Sequence, residues 1–417
     1  MIDSPAPESS PGNPPLFDIA RARRYLRQRQ AYWASLVRAP ALEDAIAVAL
    51  EHAERREASA VRDGPYIRVG PFKYQADIEE ARWSLTREII QRVGPGPYED
   101  PRFFEMLARQ AASIELGLSQ SGTKAGIPPG TFSRVILGTT GEARSEANTA
   151  LAAGVAVISL SGGMMEFLYQ GSKALVLAWK ETDPEKGAAL SFSGRPEDTE
   201  EVLDRDPYPA TLLRDTLTAW LYDGRPRAPH SATPPAPRSW PLMLLINGAE
   251  RFVVGHEYGH ALMEQLAVPE LAPGERPGDE SPWAREFSMD AFGAMAVLYS
   301  SAYLDQLPPN MALQGAAVAM KAHEIFDSLQ EVISAKYGAT PPATHPPFEQ
   351  RLEAIKQVYL RLHPDPATAQ GALEGLIVPA QTLDQIWARI RQPMMAILDS
   401  DIPLHPVWLA GQVQSSL

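Results

Sequence analysis

The chain has 417 residues, 45% of them hydrophobic, with 38 Lys plus Arg against 51 Asp plus Glu and a formal net charge of −13. Such a length builds a substantial core, in one large domain or two to three smaller ones, and the acidic balance argues against a phosphate backbone or an anionic membrane surface, so no nucleic acid is expected as a partner. There is no cysteine, which excludes disulfides, thiolate ligands and a cysteine nucleophile, leaves any metal to His, Asp or Glu, and fits a reducing, cytoplasmic setting.

Residues 1–16 have neither a basic n-region nor an apolar h-region and read as a disordered leader, not a secretory signal. From 17 to 130 a helical region is expected. The stretches 16–37, 40–59, 77–93 and 100–118 each place apolar residues at three- and four-residue steps and end near Gly or Pro. Two strands follow, Phe132 to Thr140 and Gly154 to Leu160, joined through the polar link GEARSEAN. The run from Ala147 to Met165 carries no charge, but Asn148, Thr149, Gly154, Ser159, Ser161, Gly162 and Gly163 break up an apolar helix; it reads as a buried or edge strand, and no membrane span is expected.

A helix is expected from about Met164 to Lys180. Residues 181–241 then turn acidic and proline-rich, closing on GRPRAPHSATPPAPRSWP, where proline density argues against a continuous element. That stretch reads as a solvated insertion, with a lid over a site as the alternative. A helix spans Pro241 to Leu266, and 366–417 forms a C-terminal helical segment.

The Pro241 to Leu266 helix contains HEYGH, residues 256–260. His256 and His260 stand one turn apart on one helical face, so both imidazoles reach a single ion. Glu257 lies a step around, where a carboxylate serves as a general base without ligating. A catalytic zinc needs a third protein ligand and an open position. The helical run REFSMDAFGAMAVL supplies Glu286 as that ligand, with Asp290 four residues on, free to take an imidazole N–H and fix its tautomer. The bland reading is two ordinary histidines and two solvated carboxylates.

HEYGH followed by an E-x-x-x-D helix resembles a gluzincin, specifically the HtpX and CAAX prenyl protease type of zinc metallopeptidase. NTALAAGVAVISLSGGMMEFL, from Asn148, is similar to that family's strand-and-helix segment, and ATHPPFEQRLEAI is similar to its downstream motif through Thr344, His345, Pro346, Arg351 and Leu352. The matches cover roughly 132–359. The resemblance implies an α+β, mostly helical fold: a zincin-like domain over 131–365, with a small antiparallel or mixed sheet and an active-site helix. It implies one Zn²⁺ per chain on His256, His260 and Glu286, with Glu257 as base, Asp290 and Arg351 in support, and His345 donating to the developing oxyanion. Val155, Val157 and Ser159 would lie on an edge strand that pairs with an extended protein or peptide substrate. The family's usual membrane helices are not expected here, and the alternative function is a non-catalytic zinc-binding, peptide-recognition or regulatory protein. His52, His230, His323, His363 and His405 match no motif and read as surface or packing residues.

Overall fold

The computed structural model describes residues 17–37, 41–69, 72–120, 127, 130–140, 147–182, 191–226, 233–266, 282–305, 307, 309–336, 345–362, 369–370, 373–406 and 408. The expected leader, most of the GEARSEAN link, Thr344, His230 and His363 lie outside these residues.

Helices α1 (Ile19–Val37), α2 (Ala45–Ala58), α3 (Ala76–Val93) and α4 (Pro101–Gln120) follow the expected periodicity. α4 buries Phe104, Leu107, Ala108, Ala111 and Ile114 completely along one stripe. The region is not purely helical, however. Between α2 and α3 lies an antiparallel meander, β1 (Val61–Asp63), β2 (Tyr66–Val69) and β3 (Phe72–Gln75). The Asp63-Gly64 pair at its first turn, with Gly64 at φ 60, is the local signal for it.

A 3-10 turn (Thr131–Arg134) leads into β4 (Val135–Thr140), and β5 (Asn148–Ala152) and β6 (Val155–Ser161) form a hairpin whose two turn residues, Ala153 and Gly154, both have positive φ. The strand order is β4-β6-β5, with β4 parallel and β5 antiparallel to β6. The expectation of an edge strand at Val155, Val157 and Ser159 is therefore overturned. β6 is the middle strand, paired on both sides and buried along its length, and β5 is the outer strand.

Ser161 caps α5 (Gly162–Ala178) by accepting from Met164 N at 3.2 Å. Where it is described, the segment 181–241 is not a solvated insertion. It holds β7 (Lys180–Thr182) paired with β8 (Ser191–Ser193), then α6 (Pro196–Arg205) and α7 (Tyr208–Asp223). α7 buries Leu213, Leu217, Trp220 and Leu221 completely, and the Trp220 ring sits 4.8 Å from Phe326, 5.3 Å from Phe167 and 5.5 Å from Trp408. Helices packed this deeply are core, so the lid alternative fails for them too.

Helix α8 (Ala236–Gly259) starts five residues before the expected Pro241, which it accommodates internally, and continues as a π-turn (His260–Gln265). α9 (Pro282–Ser300), a second π-turn (Ser301–Asp305), α10 (Pro309–Lys336), α11 (Phe348–Leu362) and α12 (Val378–Asp399) follow among the described residues. The architecture is α+β and mostly helical, with small antiparallel and mixed sheets. No helix among the described residues is long and apolar enough to cross a membrane.

α8 packs between α9 and α10 at glycine crossings. A Cβ on Gly255 would meet Ala296 Cβ at 2.7 Å and Gly293 Cα at 3.2 Å, and one on Gly259 would meet Met289 Sδ at 2.9 Å. Each of these glycines immediately precedes a histidine, His256 or His260, so the same crossing that requires glycine brings the α9 carboxylates within reach of both histidines.

Candidate metal centre

Three side chains converge at the α8–α9 crossing. One ligand atom each from His256, His260 and Glu286 lies within 4.8 Å of the other two, a set that could hold a metal ion. Glu286 Oε2 is 3.3 Å from His256 Nε2, and Glu286 Oε1 is 3.7 Å from His260 Nε2. Bonds near 2.0–2.1 Å set the edges of a tetrahedral zinc site at about 3.4 Å, so the spacing fits with little movement.

The far sides of both rings are held by carboxylates. His256 Nδ1 is 3.0 Å from Asp290 Oδ1, and His260 Nδ1 is 2.9 Å from Glu264 Oε2. Each carboxylate accepts the Nδ1 proton, so that Nε2 of both rings, each facing a Glu286 oxygen, is the nitrogen left to ligate when a metal replaces the proton there. Arg351 fixes Asp290 in turn, donating Nε to Oδ2 at 2.8 Å and Nη2 to Oδ1 at 2.6 Å. The expected supporting residues thus form a chain from α11 through α9 to α8. Glu286 Oε2, by contrast, is buried without a hydrogen-bond partner among the described residues. Two aimed imidazoles and an orphaned buried oxygen are the donor set a divalent cation satisfies.

The electrostatics point the same way. Burial alone would depress the His256 pKa, but the Asp290 and Glu286 carboxylates overcome it and push it up to about 10. The spot is one where the protein field favours positive charge. Burial would raise Asp290, yet the Arg351 guanidinium and His256 hold its carboxyl well below the usual range, and His256 and His260 lower Glu286 against the same opposing burial.

Glu257 is only 5% exposed and accepts at Oε2 a 2.8 Å hydrogen bond from Thr149 Oγ1. Thr149 belongs to β5, so the outer strand runs directly beside this carboxylate. His345 lines a small cavity with His256, Glu257 and Arg351, and its Nδ1 lies 4.0 Å from Asp327 Oδ2. Val155, Val157 and Ser159 are not part of this surface: all three are buried, and Ser159 Oγ instead donates to Asn148 O at 3.2 Å and accepts from Arg29.

Sequence reasoning missed three residues of the site. Glu264 was readable, four positions after His260 on the same face. Thr149, and His323 on the wall of the same small cavity as His256, Glu257 and His345, carried no local signal, because each is brought in by packing across long stretches of chain. Comparison with family models, with characterised proteins and with solved structures returned no match. The functional conclusion therefore rests on the geometry of the site and on the motifs in the chain.

Proposed function

We propose that this protein is a zinc-dependent metallopeptidase of the gluzincin kind. The observation that carries the reading is the pairing of a preformed His256, His260 and Glu286 set with a non-ligating carboxylate, Glu257, held by the β5 hydroxyl of Thr149. A purely structural zinc site would have no need of a positioned base beside it.

Zinc on these three side chains, with one position open, would supply Lewis-acid activation of water and of the scissile carbonyl. The protein's own groups do the rest. Asp290 and Glu264 keep both imidazoles in the ligating tautomer, and Arg351 holds Asp290 against rotation. Glu257 takes a proton from the attacking water as the tetrahedral intermediate forms, then passes it to the leaving amine. The outer strand β5 would take an extended peptide as an added strand, its backbone groups binding without regard to side chains. His345, on the cavity wall beside Glu257, is the candidate donor to the developing oxyanion.

The test is metal content and proteolysis of an unfolded protein such as casein, with wild type beside Glu257→Gln. One zinc per chain in both and cleavage in the wild type alone is the expected result; removal of a general base costs about 10²–10⁴-fold. Full activity in Glu257→Gln would sink the assignment. Zinc in both with no cleavage of any unfolded protein or peptide would favour a non-catalytic peptide-binding protein.

A further inference from the structure

His323, on α10, stands outside every motif of the proposed centre, yet it faces the same small cavity. The cavity lies between α8, α10 and α11 and is lined by His256, Glu257, His323, His345 and Arg351 beside Phe252. Its volume, about 20 Å³, is room for a single water molecule. The His323 side chain is only 8% exposed, and both of its ring nitrogens are buried without a hydrogen-bond partner among the described residues. Its ring meets that of His345 edge to face, with centroids 5.2 Å apart.

Buried polar atoms are almost always paired, with protein or with ordered water. An imidazole with two idle nitrogens is a poor packing residue at a place where a leucine or phenylalanine would serve. Its neutral form carries one donor and one acceptor, the complement a water molecule needs. Burial, reinforced by the Arg351 and His256 charges, lowers the His323 pKa to about 3, so the ring is neutral near pH 7.

We propose that His323 and His345 together hold one water molecule in this cavity against Glu257, and that His323 is thereby a positioning residue for the general base. Thr149 restrains the Glu257 carboxylate from the β5 side, and the held water restrains it from the α10 side. The positioning role rests on the peptidase reading; the water site does not.

The experiment has two readouts. A high-resolution crystal structure of the wild-type protein should show an ordered water within hydrogen-bond reach of both rings; a dry cavity overturns the proposal. Kinetics of His323→Phe, which removes both nitrogens at similar volume, should show zinc content unchanged, KM close to wild type and kcat lowered about 10–100-fold. His323→Gln, which keeps a donor and an acceptor, should recover most of that loss. Should the phenylalanine variant fail to fold, His323→Leu takes its place. A kcat within about twofold of wild type in a folded apolar variant, or a loss that glutamine does not rescue, overturns the positioning role. Absence of any hydrolysis by the wild type overturns that role together with the peptidase reading, and the water site then stands or falls on the density alone.

Discussion

Two regions of this protein bury charge, and they do it in opposite ways. Where α3, α4, α8 and the second π-turn meet, Glu79 accepts from Arg109 at 3.0 Å through one oxygen and from Arg82 through the other. Asp305 accepts from Arg82 at 3.5 Å and from Arg251, again one oxygen each. Both carboxylates are fully paired within the protein. At the α8–α9 crossing, Asp290 is satisfied in the same manner, but Glu286 Oε2 is buried without a hydrogen bond among the described residues, and the two Glu286 oxygens face only the ring nitrogens His256 Nε2 and His260 Nε2, at 3.3 and 3.7 Å. Burial of charge therefore marks no function by itself; what distinguishes the second region is a set of ligand atoms that converge on one point and leave a buried carboxylate oxygen without a hydrogen bond.

The largest expected effects come from breaking one carboxylate in each region. Removing one partner of a buried pair costs about 3–5 kcal/mol, so Asp290→Ala and Asp305→Ala should each lose that order of stability in thermal or urea unfolding. Zinc titration then separates them. Asp290→Ala should bind zinc about 10–100-fold more weakly as His256 loses its orienting partner, and Asp305→Ala should bind it as the wild type does. Equal zinc affinity in the two variants would break the distinction. Glu286→Gln sharpens it from the other side. It should lose zinc, and should cost the metal-free protein about 1–3 kcal/mol, less than Asp290→Ala, because without metal the carboxylate pairs with His256 alone on that ring's Nε2 side, at 3.3 Å.

How much of this was legible in the sequence follows the range of the interactions. His256, Glu257 and His260 were readable because helical periodicity places them, and Glu286 and Asp290 because the same periodicity spaces them on a second helix. Arg351 was found only through a motif resemblance; nothing local says that it reaches α9. α6 and α7 are hidden by the proline content of the segment, although Leu213, Leu217, Trp220 and Leu221 of α7 show the 3.6 period. Pro196 and Pro209 in fact open their helices, where a missing N–H costs nothing. The misplaced edge strand has a different cause. The alternation of β5 and β6 is fixed by their hairpin, but which of the two is the outer strand depends on where β4 docks, and no nearby residue encodes that.

Glycine crossings allow a smaller, more local break. Gly255→Ala drives a Cβ to 2.7 Å from Ala296 Cβ at the site crossing, and Gly248→Ala drives one to 2.5 Å from Ala312 O at the α10 crossing. Overpacking of this kind costs about 1–3 kcal/mol, so both variants should melt earlier. Only Gly255→Ala pushes away the helix that carries Glu286 and Asp290, and only it should weaken zinc binding in a titration. Weakened binding in both would mean that the site senses global stability and not the α8–α9 spacing.

The smallest effect separates the regions by pH. Burial raises Glu250, whose Oε2 accepts from Gln110 at 2.9 Å on the paired side of the molecule, from 4.5 to about 7. A folded-state pKa above the unfolded one means that the native protein binds the proton more tightly. The Glu250 contribution is therefore fully present below pH 4.5 and is lost as the pH rises through about 7. Asp290 has the opposite sign: its lowered pKa gives a contribution present above the unfolded value near 3.8 and lost only on further acidification. Stability of the metal-free protein, measured by urea unfolding from pH 4.5 to 8, should fall more steeply with pH in the wild type than in Glu250→Gln, by on the order of 1 kcal/mol across the interval. Identical slopes would mean that Glu250 loses its proton in the native protein at the same pH as in the unfolded chain, and that side of the molecule would then bury a third carboxylate charge beside those of Glu79 and Asp305.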